Sequence, residues 1–203
     1  MTEKKRLILA SGSQARRTML EAAGVPFEVV AANIDEDAIR AAMMTENDTL
    51  QPADIAVALS AEKALSVARA HPAALVIGSD QILAKGQRVY SKAATLGEAR
   101  AVLERLRGRK HELISAVTIA QGGTIVWQSL DSAELTMRNF SDAFLDDYMA
   151  RCGAALLQSV GCYQLEGLGV HLFDSIDGDY FTILGMPLLP LLAELRNHGL
   201  ELA

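Results

Sequence analysis

Residues 73–79, AALVIGS, form a run of apolar and small side chains that ends at Asp80. A strand with one wet face alternates in polarity. A run without alternation reads as a strand covered on both faces, the kind found in an open α/β sheet. Ligands of such sheets bind in the crevice at the carboxyl ends of the strands. Asp80 sits just beyond the end of this strand, and an acid there reads as functional. Gln81 follows it into the same crevice.

A second short run, Leu7-Ile8-Leu9-Ala10, is broken by Ser11-Gly12-Ser13, and a helical pattern follows with Met19 and Leu20 apolar. The order strand, tight polar turn, helix aims backbone N–H groups and the positive helix end at one point. Arg16 and Arg17 lie just past the turn, and a guanidinium matches phosphate oxygens. The alternative is an ordinary connection with Ser13 as helix cap.

Gly24-Val25-Pro26 ends the first helix, and residues 27–32 (FEVVAA) read as a strand. It runs into Asp35 and Glu36, either a solvated helix start or two acids at an element end. Residues 37–51 are polar and irregular, a short helix with a loop. Residues 52–71 carry the longest helical signal, with Ile55, Leu59 and Lys63 in one line. A lysine there either snorkels at an edge or points into a cleft. Lys85-Gly86-Gln87 reads as a turn between short strands. Residues 96–106 read as an amphipathic packing helix. Residues 112–120 and 124–130 read as a hairpin, with Ala133, Leu135 and Met137 extending its second strand. Ser141 caps a helix over 142–151, and the glycine-rich 152–169 reads as loop. Asp177-Gly178, between residues 170–176 and 180–184, reads as a second hairpin turn. Pro187 opens the last helix.

The chain has 203 residues and a net charge of −6. That length suits one domain or two small lobes around a cleft. The charge argues against a partner that is a nucleic-acid polymer, while a small anionic substrate needs only local cations. Cys152 and Cys162 fit neither a redox pair nor a zinc knuckle. The leading apolar run is too short for a signal peptide, and no stretch is long enough to span a bilayer. The expectation is a soluble, cytoplasmic protein without a membrane partner.

Ser11, Arg16, Glu36, Lys63, Asp80 and Lys92 stand at element ends. Three cations can hold a polyphosphate and stabilise charge on a leaving group. Two carboxylates can hold a hard divalent metal, which takes one or two carboxylates with phosphate and water oxygens. A P-loop, a zinc-protease pair and a GxSxG elbow are absent from the sequence,.

The fragments LASGS with its Arg-bearing helix, Ile34-Asp35-Glu36, Glu62-Lys63-Ala64, Gly78-Ser79-Asp80-Gln81, Ser91-Lys92, Glu166-Gly167-Leu168-Gly169 and Gly185-Met186-Pro187-Leu188 recur in family order. Together they resemble the Maf family of nucleoside triphosphate pyrophosphatases. The resemblance implies one domain over residues 1–203: a mixed twisted sheet with flanking helices and two lobes around a cleft, similar to inosine triphosphate pyrophosphatases. It implies hydrolysis between the α and β phosphates with a divalent metal (Mg, Mn or Co), in a protein that is often a homodimer. Asp80 and Glu36 would be the catalytic and metal-holding acids, with Lys63 and Lys92 catalytic cations. Ser11 and Arg16 would bind phosphate. Ala15, Gln81 and Glu166 match the positions that sort the family by base. Gln81, Glu166 and the Arg16-Arg17 pair are similar to the 7-methyl-GTP branch. Gln14 and Ala15 depart from it, and Ala93 replaces the proline that usually follows the lysine. The alternatives are a dTTP/UTP pyrophosphatase, or a nucleotide-binding regulator of septum formation without turnover.

Overall fold

The computed structural model describes residues 5–46 and 50–200. Its strands are β1 (Leu7–Leu9), β2 (Glu28–Val29), β3 (Leu75–Lys85), β4 (Arg88–Tyr90), β5 (Lys110–Gln121), β6 (Thr124–Met137) and β7 (Phe173–Asp177). Its helices are α1 (Gln14–Ala22), α2 (Glu36–Glu46), α3 (Pro52–Ala68), α4 (Leu96–Leu106), α5 (Asp142–Cys152), α6 (Tyr180–Ile183) and α7 (Leu188–Asn197). The strands form one seven-stranded mixed sheet, ordered β2-β1-β3-β5-β6-β7, with β4 also paired to β3. β1 is parallel to both β2 and β3, and the remaining pairings are antiparallel. No helix among the described residues is long and apolar enough to cross a membrane.

The central strand β3 is covered on both faces, as its unbroken apolar run requires. Successive side chains of a strand point to opposite faces. Val76, Ile82 and Ala84 pack with residues of α3, including Ile55, Leu59 and Ala64. Leu75 and Ile77 pack with Leu20 of α1 and with Leu188, Leu191 and Leu195 of α7. A further cluster forms a second lobe, where α4 and α5 pack on Leu83, Leu113 and Leu135. β3, β5 and β6 run through both lobes, and the cleft opens between them.

Asp80 does not lie beyond a strand end. β3 continues to Lys85, and Asp80 pairs opposite Ala116 in the middle of the β3–β5 ladder. The long antiparallel partner carries the strand onward. The expected crevice is nevertheless present, because β1 stops. Its last paired residue, Leu9, lies opposite Ile77, and β4 takes up the same edge of β3 only from Leu83. Residues 78–82 are therefore left without a strand on that side, and the functional side chains enter there.

Three other expectations change. Tyr180–Ile183 is a turn of helix, because the Asp179 side chain accepts the Thr182 N–H at 3.0 Å and caps it. β7 pairs with β6 instead, Asp177 opposite Glu134, so Asp177-Gly178 is not a hairpin turn. The strand expected over 27–32 shrinks to β2, and α2 occupies most of 37–51. Within that stretch, 47–49 lie outside the described residues.

Gly78 sets the distance between α3 and the sheet. A Cβ there would collide with the Ser60 carbonyl oxygen and fall 2.5 Å from the Ala64 amide nitrogen. Both obstacles are backbone, so neither can swing aside. Gly78→Ala is expected to destabilise the fold by about 1–3 kcal/mol or more, the usual range for overpacking. A shift of the urea midpoint measures it, and an unchanged midpoint would mean that α3 is free to move away.

Candidate functional site

The gap beside β3 opens into a cleft of about 1040 Å³. Ser11, Ala15, Arg16, Glu36, Lys63, Asp80, Gln81, Lys92 and Glu166 all line it. The structure thus brings these nine candidate residues together, although they come from distant parts of the chain.

Lys63 is the centre of the inner wall. Its Nζ donates to Asp80 Oδ1 at 2.6 Å and lies 2.9 Å from Glu36 Oε1. The Lys63 and Asp80 side chains are 10% and 7% exposed, while Glu36 is 45% exposed. Lys63 therefore points into the cleft and does not snorkel. Burial pushes the Asp80 carboxyl above the ordinary aspartate pKa, even against Lys63 and Arg16, and the negative charge of Glu36 adds to the rise,. Burial also pushes Glu36 up, but Lys63, Lys92 and Arg16 outweigh it and hold Glu36 below the usual glutamate value. Two neighbouring carboxylates thus have their pKa values driven apart. Asp35 has a different task, because it caps α2 by accepting the Ala38 N–H at 2.9 Å.

Arg16 is buried under the Ser11–Ser13 turn. Its Nε donates to the Gly185 carbonyl at 2.8 Å, and its Nη1 to Ser79 O at 2.8 Å and Ser11 Oγ at 3.2 Å. It thereby satisfies a carbonyl on the strandless edge of β3. Gly185, at φ 102°, turns its own carbonyl toward Arg16 in a conformation suited to glycine,. Burial lowers the pKa of Arg16, and Asp80 and Glu36 oppose the shift; a guanidinium stays charged throughout. Ser13 caps α1 by accepting the Arg16 N–H at 3.5 Å, as the sequence suggested. The Gln14 and Ala15 amides make no hydrogen bond among the described residues and stand at the cleft wall. Arg17 leaves the site and pairs with Glu21 on the exposed face of α1 at 2.8 Å.

Lys92 stands exposed on the opposite rim, without an ion-pair partner among the described residues. Partial burial, with the charges of Arg16 and Lys63, pulls its pKa below the usual lysine value against Glu36 and Asp80. Gln81 is partly spent on structure: its Nε2 donates to Ser115 Oγ and to the carbonyls of Thr182 and Ile183 at 2.9–3.1 Å. That holds α6 against the sheet and leaves the Gln81 carbonyl oxygen for the cleft.

Glu166 is exposed and makes no hydrogen bond among the described residues, so it does not cap its own glycine turn. The loop beneath it is firmly held. Ser159 Oγ accepts the Tyr163 N–H at 3.1 Å and donates to the Tyr163 carbonyl at 2.7 Å. The buried Tyr163 hydroxyl shares a 2.8 Å hydrogen bond with His111 Nε2. Burial pulls the His111 imidazole down to about 4, so it stays neutral at physiological pH. Cys162, between these anchors, has φ 57°, a strained value for a side-chain-bearing residue,.

Asp80 and Glu36 each keep one oxygen outside the Lys63 contacts. Two carboxylate oxygens suit a hard divalent cation that completes its shell with phosphate and water. A group of three or more His, Cys, Asp or Glu side chains able to hold a metal does not occur among the described residues. The donor set therefore fits a metal that arrives with a phosphorylated substrate. Tyr163 and Arg40 are among the cleft residues that sequence reasoning missed. Arg40 had a readable signal, since it falls four residues after Glu36 on one face of α2.

The chain matches a family profile described as Maf-like protein over residues 6–198. It is 53% identical over 191 residues to a protein of Caulobacter vibrioides named nucleoside triphosphate pyrophosphatase, covering 94% of each chain. It is 48% identical over 196 residues to a protein of Rhizobium meliloti named 7-methyl-GTP pyrophosphatase, covering 97% of this chain and 98% of the relative. Among solved structures it is similar to a HAM1 protein from Coxiella burnetii, with TM-score 0.41 and 14% identity over 67% of this chain and 74% of that one.

The shared lysine makes a test of stability. Lys63→Met leaves Asp80 buried without its cation and is expected to cost roughly 3 kcal/mol at neutral pH, the lower end for breaking a buried pair. A carboxyl whose pKa is higher in the folded than in the unfolded chain holds its proton more tightly in the fold. The deficit should therefore be full at neutral pH and shrink as acid protonates Asp80, and Asp80→Asn added to Lys63→Met should recover most of it. Urea titrations at neutral pH and near pH 4 check this; a deficit that does not change with pH would show that Asp80 is not the group left unpaired.

Proposed function

The chain belongs to the Maf family, and from that premise we propose that it hydrolyses a nucleoside triphosphate between the α and β phosphates, giving a monophosphate and pyrophosphate. The observation that carries the reading is Lys63 held between Asp80 and Glu36 on the cleft's inner wall. The residues on this wall divide the work. Arg16, the Gln14 and Ala15 amides and Lys92 supply positive charge for the phosphates. Lys63 stabilises the charge that develops as the α–β bond breaks. Asp80, through its uncommitted oxygen, takes the proton of the attacking water; its raised pKa suits a group that must accept a proton near neutrality,. Glu36, kept ionised by its neighbours, fixes Lys63 from the other side. A divalent metal held by the free Glu36 oxygen and by phosphate oxygens would polarise the phosphoryl group when bound,.

The base falls to Glu166. A guanine edge offers two adjacent donors, N1–H and the 2-amino group, and an ionised carboxylate can accept both. Methylation at N7 gives the ring positive charge and strengthens that attraction. Uracil and thymine would set a carbonyl oxygen against the carboxylate. The free state of Glu166 and the acceptor oxygen left on Gln81 support a donor-rich base. Ala15 supplies contact without an aromatic face. We therefore assign the preference order 7-methyl-GTP, then GTP, then dTTP and UTP.

Two measurements test the reading. With a divalent metal, the protein should release pyrophosphate and not orthophosphate, and Asp80→Asn should lower kcat at least about a hundredfold. No release from a broad panel of triphosphates would favour a binding-only regulator. Glu166→Gln should cost the guanine substrates about 1–3 kcal/mol of transition-state binding, the range for a lost bidentate base contact. It should favour dTTP and UTP in relative terms. If kcat/KM changes equally for all four nucleotides, Glu166 does not read the base.

A further inference from the structure

Arg40 stands in the cleft wall one helical turn after Glu36. Its bonding is one-sided. Nη1 donates to Ser91 Oγ at 2.9 Å and lies 3.4 Å from Asp37 Oδ1. Nε is buried without a hydrogen-bond partner, and Nη2 makes no hydrogen bond among the described residues. Nε and Nη2 together form one edge of the guanidinium. In this same protein that edge of Arg6 takes both carboxylate oxygens of Glu28, at 2.8 and 2.7 Å. In Arg40 the edge is empty, although the side chain is only 17% exposed.

A buried N–H without an acceptor is costly, and such groups in native proteins call for an explanation. Ser91 and Asp37 anchor the far side of the guanidinium, so the direction of the empty edge is fixed in advance. Nη2, unlike Nε, is not buried, and a guanidinium N–H so placed takes a phosphate oxygen,. Lys92, next to Ser91, and Lys63, bonded to Glu36, add positive charge on either side. A ligand that reaches Arg40 from Asp80 must extend past the Lys63–Glu36 contact. In a triphosphate attacked at Asp80, the phosphates furthest from the base do so.

We propose that Arg40 is a further substrate-binding residue, whose Nη2 donates to the pyrophosphate portion of the triphosphate and to the departing pyrophosphate. This rests on the pyrophosphatase reading of the same cleft and adds to it the group that grips the leaving fragment.

Calorimetric binding of inorganic pyrophosphate and of a nucleoside monophosphate, both with Mg²⁺, separates the two halves of the substrate without turnover. Arg40→Gln should weaken pyrophosphate binding about tenfold, the lower end of what a hydrogen bond to a charged group supplies. Monophosphate binding should stay within about twofold. Ser91→Ala keeps the empty edge and removes only the tether, so it should weaken pyrophosphate by much less than Arg40→Gln. Equal weakening of both ligands, no weakening, or a Ser91→Ala effect as large as that of Arg40→Gln would overturn the assignment. A wild-type protein that neither binds pyrophosphate nor releases it from any triphosphate would instead overturn the function itself. An Arg40→Gln variant that matches an active wild type overturns the role of Arg40 alone.

Discussion

One ammonium group held between two carboxylates sets the terms for the rest of the structure. Lys63 comes from α3, Asp80 from the middle of β3 and Glu36 from the first turn of α2. A charge that is 7% exposed survives only with partners of opposite sign,. That demand fixes the approach of α3 to the sheet, and Gly78 permits it by having no side chain where the helix backbone lies. It also draws α2 against the mouth of the cleft. The same arrangement separates the two acids electrically: Asp80 is driven toward its protonated form and Glu36 toward its ionised form.

The cleft exists because a strand is short. β1 ends opposite Ile77, and the next strand on that edge begins only at Leu83. Backbone groups exposed there need partners. Arg16 answers the Ser79 carbonyl, and the Ser79 hydroxyl donates to Gly185 O at 2.9 Å. The interruption of the sheet thus becomes a polar pocket, lined by charged and hydrogen-bonding groups.

Much of this was legible in the sequence, and the limits have physical causes. Burial of β3 on both faces followed from a run without alternation, and α3 and Ser13 from helix-start chemistry. Asp80 was rightly placed in the crevice but wrongly put past the end of its strand, because strand length depends on a distant partner, β5, that local pattern does not reveal. Arg16 and Arg17 look alike in sequence; only the helical phase set by packing sends one inward and the other to Glu21. Pattern alone favours a snorkelling Lys63, because a lysine is rarely buried without a partner, and its partner Asp80 lies on a distant strand that local spacing does not reveal,. Tyr180–Ile183 was misread because its apolar content suits a strand, while a single capping carboxylate at Asp179 settles the matter in favour of helix.

The loop from Ser159 to Glu166 hangs from anchors of its own, the Ser159 clasp on Tyr163 and the Tyr163–His111 hydrogen bond. None of these anchors is hydrogen-bonded to Lys63, Asp80, Glu36 or Arg16 among the described residues. Glu166 and the Lys63–Asp80–Glu36 group are therefore carried by separately braced parts of one chain. In evolutionary terms that is a modular layout: the tip of the loop can exchange residues in descendants of such a protein while the cluster around Lys63 passes on unaltered.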